Sequence, residues 1–470
     1  MNRMLNILIF ALISATSWAQ VEVGYVYEEL PQDLIPSYSL KTHSSLKPQI
    51  RLHNSDSSSY LRVTGLADLN YDQKVHGTYK AGLGFEVSSK IKKWHFRLAG
   101  VQGLSNFTDP FKPKSFLTQN ADSTSFGYTD IRSRISYTPN HIFNFQAGVD
   151  HNFLGEGSRS LLLGDYGKPY PFGQIRSRFW RIEYSILYQF LMEGQEGDWD
   201  GKFASSHHLS FNAAKWLNIG LFESVVFQPK DTLTNRGFDV EYLNPVIFFR
   251  PQEYALGSSD NVIIGLDFSA KWSKHMVYGQ FVLDEFSLTE LRAKSGWWAN
   301  KYGAQLGIKG RFGTNNNWFY RAEFNFTRPY TYSHLSEDFN YGNQGTVLAH
   351  PYGANFMEAL AEVKWQSGKW LGKAFTNYYL TGDDKDGYNQ GADIYNPYTT
   401  RPDEYGHFIG QGSQRNIFNF IATGSYRFLE AGKMSAFIEN HFRYNVQAEQ
   451  LNYQLVIGIR SMLWNDRRNY

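Results

Sequence analysis

From Tyr60 onward, hydrophobic and polar positions alternate with a period of two over segments of about nine or more residues, the length that crosses an outer membrane at a tilt. Between 318 and 326, Trp318, Tyr320, Ala322, Phe324 and Phe326 fall on one parity and Phe319, Arg321, Glu323 and Asn325 on the other. Between 451 and 463, Leu451, Tyr453, Leu455, Ile457, Ile459 and Leu463 oppose Asn452, Gln454 and Arg460. Leu306 and Ile308 likewise oppose Gln305, Lys309 and Arg311. This reading places 18 strands near 59–71, 76–89, 93–102, 131–138, 142–151, 173–179, 181–191, 206–214, 217–228, 261–272, 276–286, 300–312, 317–328, 354–366, 369–381, 414–428, 433–444 and 449–463. Tight turns then alternate with long loops at 103–130, 152–172, 192–205, 229–260, 287–299, 329–353 and 382–413. The expected fold is all-β: a transmembrane β-barrel of about 18 antiparallel strands, with short turns and both termini on the periplasmic side. A break near Phe179 and Trp180 is needed to keep the alternation in the second half. Strands of a soluble β-sandwich also alternate, but are usually nearer five or six residues.

The start of the chain follows another rule. Arg3, an apolar run from Leu5 to Ile13, and Ser17-Trp18-Ala19 read as a secretory signal at 1–19, cleaved before Gln20. The run is too short to span a bilayer as a helix. Residues 20–57, with Pro31, Pro36 and Pro48, form a periplasmic or lumenal lead-in, and 58–470 the barrel. Composition sharpens this picture. The 31 Tyr, 36 Phe and 12 Trp suit aromatic girdles at two membrane interfaces. The 46 basic and 44 acidic residues nearly cancel, which argues against a nucleic-acid partner. A cysteine-free exported chain is no anomaly when the fold is large.

One loop concentrates chemistry. In 152–172 an apolar Leu161, Leu162, Leu163 run follows Glu156 and Arg159 and precedes Asp165, punctuated by Gly155, Gly157, Gly164 and Gly167. Such a loop is expected to fold inward and occlude the lumen. Arg159 is its electrostatic anchor, paired with carboxylates such as Glu156 or Asp165. The stretch superficially resembles a phosphate loop but lacks the helix that fingerprint requires. His207 and His208, adjacent on a strand, point to opposite faces and cannot share a metal. The acidic turn at 383–387 lacks the spacing of a calcium loop, so no metal or cofactor is expected. His334 and His350 have no nucleophile motif beside them, and a non-enzymatic protein is expected. Trp297, Trp298, Tyr330, Tyr332 and Tyr352, with Tyr341, lie in or beside long exterior loops and are candidates to stack on sugar rings; girdle or loop packing is the competing explanation.

GEGSRSLLL at 155–163 with PYPF at 169–172 resembles the Wzi-type capsule-assembly family of outer-membrane proteins. EYLNPV at 241–246, LDEF at 283–286, GWWANK at 296–301, RPYTYSH at 328–334 and AHPYGAN at 349–355 resemble its RemB-type gliding-motility branch more closely, as does HSSLKP at 43–48. The resemblance implies an 18-stranded outer-membrane barrel that binds or organises surface polysaccharide or supports gliding. Its implied partners are membrane lipid, polysaccharide and gliding or secretion machinery. The periplasmic helical piece of capsule members looks reduced here. The alternative is a porin-like channel for small solutes, separable by whether the lumen conducts.

Overall fold

The computed structural model describes residues 59–72, 78–106, 126–195, 198–229, 240–243, 260–430 and 434–461. The proposed signal and lead-in lie outside these, as do most of the expected loops 103–130 and 229–260. Eighteen strands close into one antiparallel barrel. They are β1 (Tyr60–Asp72), β2 (Thr78–Ile91), β3 (Trp94–Ser105), β4 (Phe126–Tyr137), β5 (Phe143–Asp150) and β6 (Tyr170–Phe179). β7 (Ile182–Gln195), β8 (Asp198–Asn212), β9 (Leu217–Phe227), β10 (Asn261–Trp272), β11 (His275–Leu283), β12 (Tyr302–Phe312) and β13 (Trp318–Thr327) follow. A small hairpin, β14 (Gly342–Asn343) and β15 (Thr346–Val347), stands apart from the wall. The wall resumes with β16 (Phe356–Ser367), β17 (Trp370–Asp383), β18 (Ser413–Leu429), β19 (Met434–Asn445) and β20 (Gln450–Ser461). Each strand pairs with the next wall strand, and β1 closes on β20 from Asp68↔Arg460 to Asp72↔Val456. No described helix is long and apolar enough to cross a membrane.

Residue parity sets the wall's two faces. In β13, Phe324 is 45% exposed while Glu323, one residue away, is 4% exposed. Leu306, Leu451, Tyr453 and Ile457 are likewise exposed, and Gln305 and Lys309 are buried. Exposed Trp94, Trp180, Trp216, Trp272, Phe312, Trp318 and Trp370 flank the short connections and form a girdle at that end. The break at Phe179 is real: Trp180 takes a positive φ of 54° between β6 and β7.

Two expectations change. The loop expected at 192–205 is strand, with only residues 196 and 197 between β7 and β8. The loop expected at 287–299 holds one helical turn, α1 (Leu288–Ala293), because the Ser287 side chain caps Glu290 N–H.

Candidate functional site

The segment between β5 and β6 enters the barrel. Leu161, Leu162 and Leu163 are fully buried against Leu187, Phe222, Val226, Ile263 and Val282 of the wall. Ser160 shapes the loop: its hydroxyl donates to the Leu154 carbonyl at 2.6 Å and accepts from the Leu162 and Leu163 amides. The Leu154 amide in turn donates to the Leu163 carbonyl at 2.9 Å. Glycine is required at 164, where a Cβ would lie 2.2 Å from the Ala349 carbonyl oxygen.

The wall receives the loop with side chains spaced along its depth. Gln280 of β11 accepts the Leu161 amide at 2.8 Å and donates to the Leu154 carbonyl at 3.0 Å. Glu323 of β13 accepts the amides of Ser158 at 2.8 Å and Arg159 at 3.2 Å. Arg159 donates to Glu358 of β16, 3.3 Å away. This corrects the expected pairing of Arg159 with Glu156 or Asp165. Glu156 sits at the loop's tip, where Lys309 of β12 donates to its carboxylate at 2.7 Å. Asp165 is half-buried near the loop's return, and its charge acts on His151. Burial opposes the charge on Arg159, but Glu358 overrides it and raises the guanidinium's pKa. Glu358 is saturated: His350 Nε2 lies 2.9 Å away, and Asn377 and Asn325 donate at 2.7 and 3.2 Å. Burial pushes His350 down despite that carboxylate, so its imidazole is neutral at pH 7.

A second loop, between β13 and β16, backs the first. Tyr332 Oη donates to the Leu161 carbonyl at 2.7 Å and Tyr341 Oη to the Leu162 carbonyl at 2.8 Å. Tyr330 donates to the Asn389 carbonyl at 2.9 Å. All three tyrosines are fully buried. Tyr352 is held between Tyr379, at a centroid distance of 4.1 Å, and His350 and Phe356. This corrects the assignment of Tyr330 and Tyr332 as exterior sugar-stacking rings, and Tyr352 is likewise engaged, by Tyr379, His350 and Phe356. The loop turns inward because the leucine carbonyls it meets need donors inside the barrel.

A third layer crosses the mouth. Asn355, at a φ of 55°, donates to the carbonyls of Gly382, Gln390 and Gln411 and accepts from Gly410. The segment 295–298 pairs with 404–407 through Trp298 N–H to Glu404, Gly406 N–H to Ser295 and His407 N–H to Gly296. Trp298 is engaged on several sides: Arg401 lies 4.0 Å over its ring, Tyr398 packs at 4.6 Å, and its Nε1 donates to Glu404 at 2.8 Å. Lys301, fully buried, lies 4.2 Å over Tyr398 and bridges to Glu285 at 2.9 Å. Trp297 is half-buried on the same segment. Tyr405 and Phe408, on the facing segment, are 55% and 64% exposed, and Tyr388 is 55% exposed. Sequence reasoning missed these three. Their only signal was an aromatic residue in a glycine-rich loop, shared with many buried ones. It also missed Glu358 and Gln280 as receptors for the loop, although parity had already turned Glu323, Gln305 and Lys309 inward.

His334 and His350 are held apart, the first against Tyr398 and Phe339, the second against Glu358. His208 faces the lumen and lies 2.7 Å from Asp267, while His207 faces outward toward Tyr184. Among the described residues no group of three or more metal-ligating side chains occurs.

No protein-family model matches the chain. No curated protein sequence matches it either. Among solved structures, Escherichia coli Wzi, described as an outer-membrane protein involved in group 1 capsule assembly and a carbohydrate-binding β-barrel, superposes with a TM-score of 0.55 at 14% identity, over 85% of this chain and 83% of that one. Pseudomonas aeruginosa OprD gives 0.45 at 10% identity over 86% and 96%, and P. aeruginosa OpdK with vanillate 0.46 at 8% over 85% and 98%. The likeness to Wzi is one of fold, that of an outer-membrane β-barrel.

Proposed function

We propose that this protein is an outer-membrane barrel whose mouth holds surface polysaccharide without catalysing its turnover, in the service of capsule organisation or gliding motility. The observation that carries the reading is the filled lumen. A loop anchored by Arg159 to Glu358 and by Glu156 to Lys309 occupies the barrel, and two more loops cross above it. A barrel closed in this way is built to present a surface. That surface offers Trp297, Tyr405, Phe408 and Tyr388 on backbone held by cross-loop hydrogen bonds, and rigid aromatic faces are what sugar rings stack on. The motifs at 155–163 and 169–172 support a role of the Wzi type, and the gliding role rests on the motifs at 241–246, 283–286, 296–301, 328–334 and 349–355 alone.

Binding of purified capsular and exopolysaccharides to the protein in detergent micelles, read by biolayer interferometry, tests the reading; retention of none would defeat it. The porin-like alternative has one observation in its favour. The wall of β2 to β4 carries ion pairs, Arg97 with Glu86 and Arg132 with Asp130. Large ohmic steps from pure protein in planar bilayers would favour that alternative.

A further inference from the structure

The outer face of β7, β8 and β9 carries a cluster of fully buried polar side chains that an apolar belt does not call for. On β8 and β9, His208 reaches Asp267, and Phe222 and Val226 pack on the lumenal leucines. The residues one position off, Ser205, His207, Glu223 and Val225, therefore face outward. Register sets His207 directly across from Glu223 on β9, and Ser205 directly across from Tyr188 on β7. Ser205, His207 and Glu223 are each fully buried. Charged groups on a barrel's lipid face destabilise it according to depth, and a wall needs only apolar side chains there. A cluster of this composition therefore calls for an explanation other than the wall itself.

Its members stand in a chemical order. Ser205 Oγ lies 3.4 Å from His207 Nε2. His207 Nδ1 is hydrogen-bonded to the Tyr184 hydroxyl, and Glu223 flanks the imidazole from the other side. A hydroxyl, an imidazole and a group that fixes the imidazole form the nucleophile, base and orienter arrangement of acyl transfer. In front of the hydroxyl lies a carbonyl group. Ser205 Oγ donates to the Tyr242 carbonyl at 3.0 Å, and Tyr188 Oη donates to the next carbonyl, of Leu243, at 3.1 Å. The turn Val240–Leu243 thus lies outside the barrel. The Tyr242 ring packs 4.6 Å from Phe227, and its hydroxyl donates to Asp260 at 2.5 Å.

We propose that Ser205 and His207 form a lipid-facing acyl-ester hydrolase centre, held closed by the Val240–Leu243 turn. The turn's two carbonyls occupy the places of an ester carbonyl and its neighbour. When the turn lifts, Ser205 Oγ attacks the carbonyl carbon of an acyl lipid, and its proton passes to His207 Nε2. Tyr188 Oη, released from the Leu243 carbonyl when the turn lifts, turns to donate to the developing oxyanion. The ester C–O bond breaks, and the alcohol leaves with the proton from His207. Water, deprotonated by His207, then cleaves the acyl-serine and releases the fatty acid. Tyr184 and Glu223 are positioning residues. Ser205 lies about 7 residues above Asn212 at the short-turn end of β8. That is about 17 Å up a tilted wall whose apolar band is about 25 Å tall, so the centre looks into the leaflet nearer the long loops. This activity is independent of polysaccharide binding at the mouth.

A fluorophosphonate probe on full-length protein in mixed micelles with a short-chain phosphatidylcholine tests the proposal, with adducts mapped by mass spectrometry. Tyr242→Ala and Asp260→Asn, which each loosen the turn, are expected to raise the adduct on Ser205 at least tenfold over wild type and to release fatty acid from the lipid. Adding Ser205→Ala or His207→Gln to either variant abolishes both signals. Tyr184→Phe in the loosened background shifts the pH midpoint of labelling, which a packing role would not do. Heat-modifiable migration reports folding in each case. Wild-type protein under prolonged exposure to the probe serves if both loosened variants misfold, because thermal opening of the turn then labels Ser205 slowly. Absence of a Ser205 adduct from every folded form tested overturns the proposal and leaves the cluster a polar patch that the turn seals from lipid.

Discussion

Arg159 and Glu358 meet 3.3 Å apart inside the barrel, one on a loop and the other on the wall 199 positions later. The pair is shielded from water, and removing one member strands the other. Breaking such a pair costs about 3–5 kcal/mol. Arg159→Ala is expected to fall at the lower end, because Glu358 keeps His350, Asn377 and Asn325. Deleting residues 156–168 is expected to raise ion conductance while heat-modifiable migration on gels persists. Unchanged conductance, or ready protease cleavage of this loop on intact cells, would count against the lumenal anchor.

The tyrosine struts should behave differently from a binding surface. Tyr332→Phe and Tyr341→Phe each leave a leucine carbonyl short of a donor inside the barrel, at a cost of about 1–3 kcal/mol. Hydrogen exchange at Leu161, Leu162 and Leu163 is the measurement, with faster exchange expected and polysaccharide affinity unchanged.

Phe324 and Glu323 are neighbours with opposite surroundings. Phe324→Arg puts a charge on the lipid face, at a cost of about 2–4 kcal/mol near the midplane, and should lower folding yield. Glu323→Arg should fold but lose the loop, because Glu323 accepts from Ser158, Arg159, Tyr278 and Asn325. Equal folding yields, with the loop docked in both, would contradict the register.

The contrast between these two residues explains what the sequence disclosed. Parity is a local property, and it sorted Phe324 from Glu323 and gave every wall strand. It also marked the Leu161, Leu162, Leu163 run as needing burial. It could not name Glu358 as the partner of Arg159, since that contact spans 199 positions and depends on how the barrel closes. The same limit hid the fate of the aromatics. Tyr332 and Tyr405 look alike in sequence, yet one is fully buried and the other 55% exposed. Only the route of their loops, inward or across the mouth, separates them.

A pH effect is expected at the mouth. Burial, with Lys301 beside it, lowers His334 to about 4. Its folded value lies below its unfolded one, so its contribution to stability is present above about pH 6.5 and is lost as pH falls toward 4. Asp284 acts in the opposite sense: burial raises its carboxyl, and Lys301 only partly offsets this. Comparison of wild type with His334→Gln isolates the first effect. Hydrogen exchange in 329–341 should quicken on acidification more in wild type than in the variant. Equal acceleration would exclude His334 as the source.

The aromatic surface yields a graded expectation. Trp297→Ala and Tyr405→Ala should each weaken polysaccharide binding about 3- to 10-fold, equivalent to about 0.5–1.5 kcal/mol for one stacked ring. Trp298→Ala should instead loosen the loops, since its ring holds Arg401 and Tyr398 in place. Interferometry with thermal unfolding of the same samples separates the two outcomes.

The lumenal loop is anchored by residues that follow it by 120 to 199 positions: Gln280, Glu323 and Glu358. During synthesis and export, β5 and β6 emerge long before β11, β13 and β16, so the leucine run has no receptor while the first third of the barrel is laid down. Docking is therefore a late event, coupled to completion of the second half. A chain stalled before the leucines' wall partners on β7 to β11 are laid down should carry an exposed apolar hairpin that chaperones and proteases can find, whereas a finished barrel hides it. The loop thus gives the cell a means of telling an unfinished chain from a closed one.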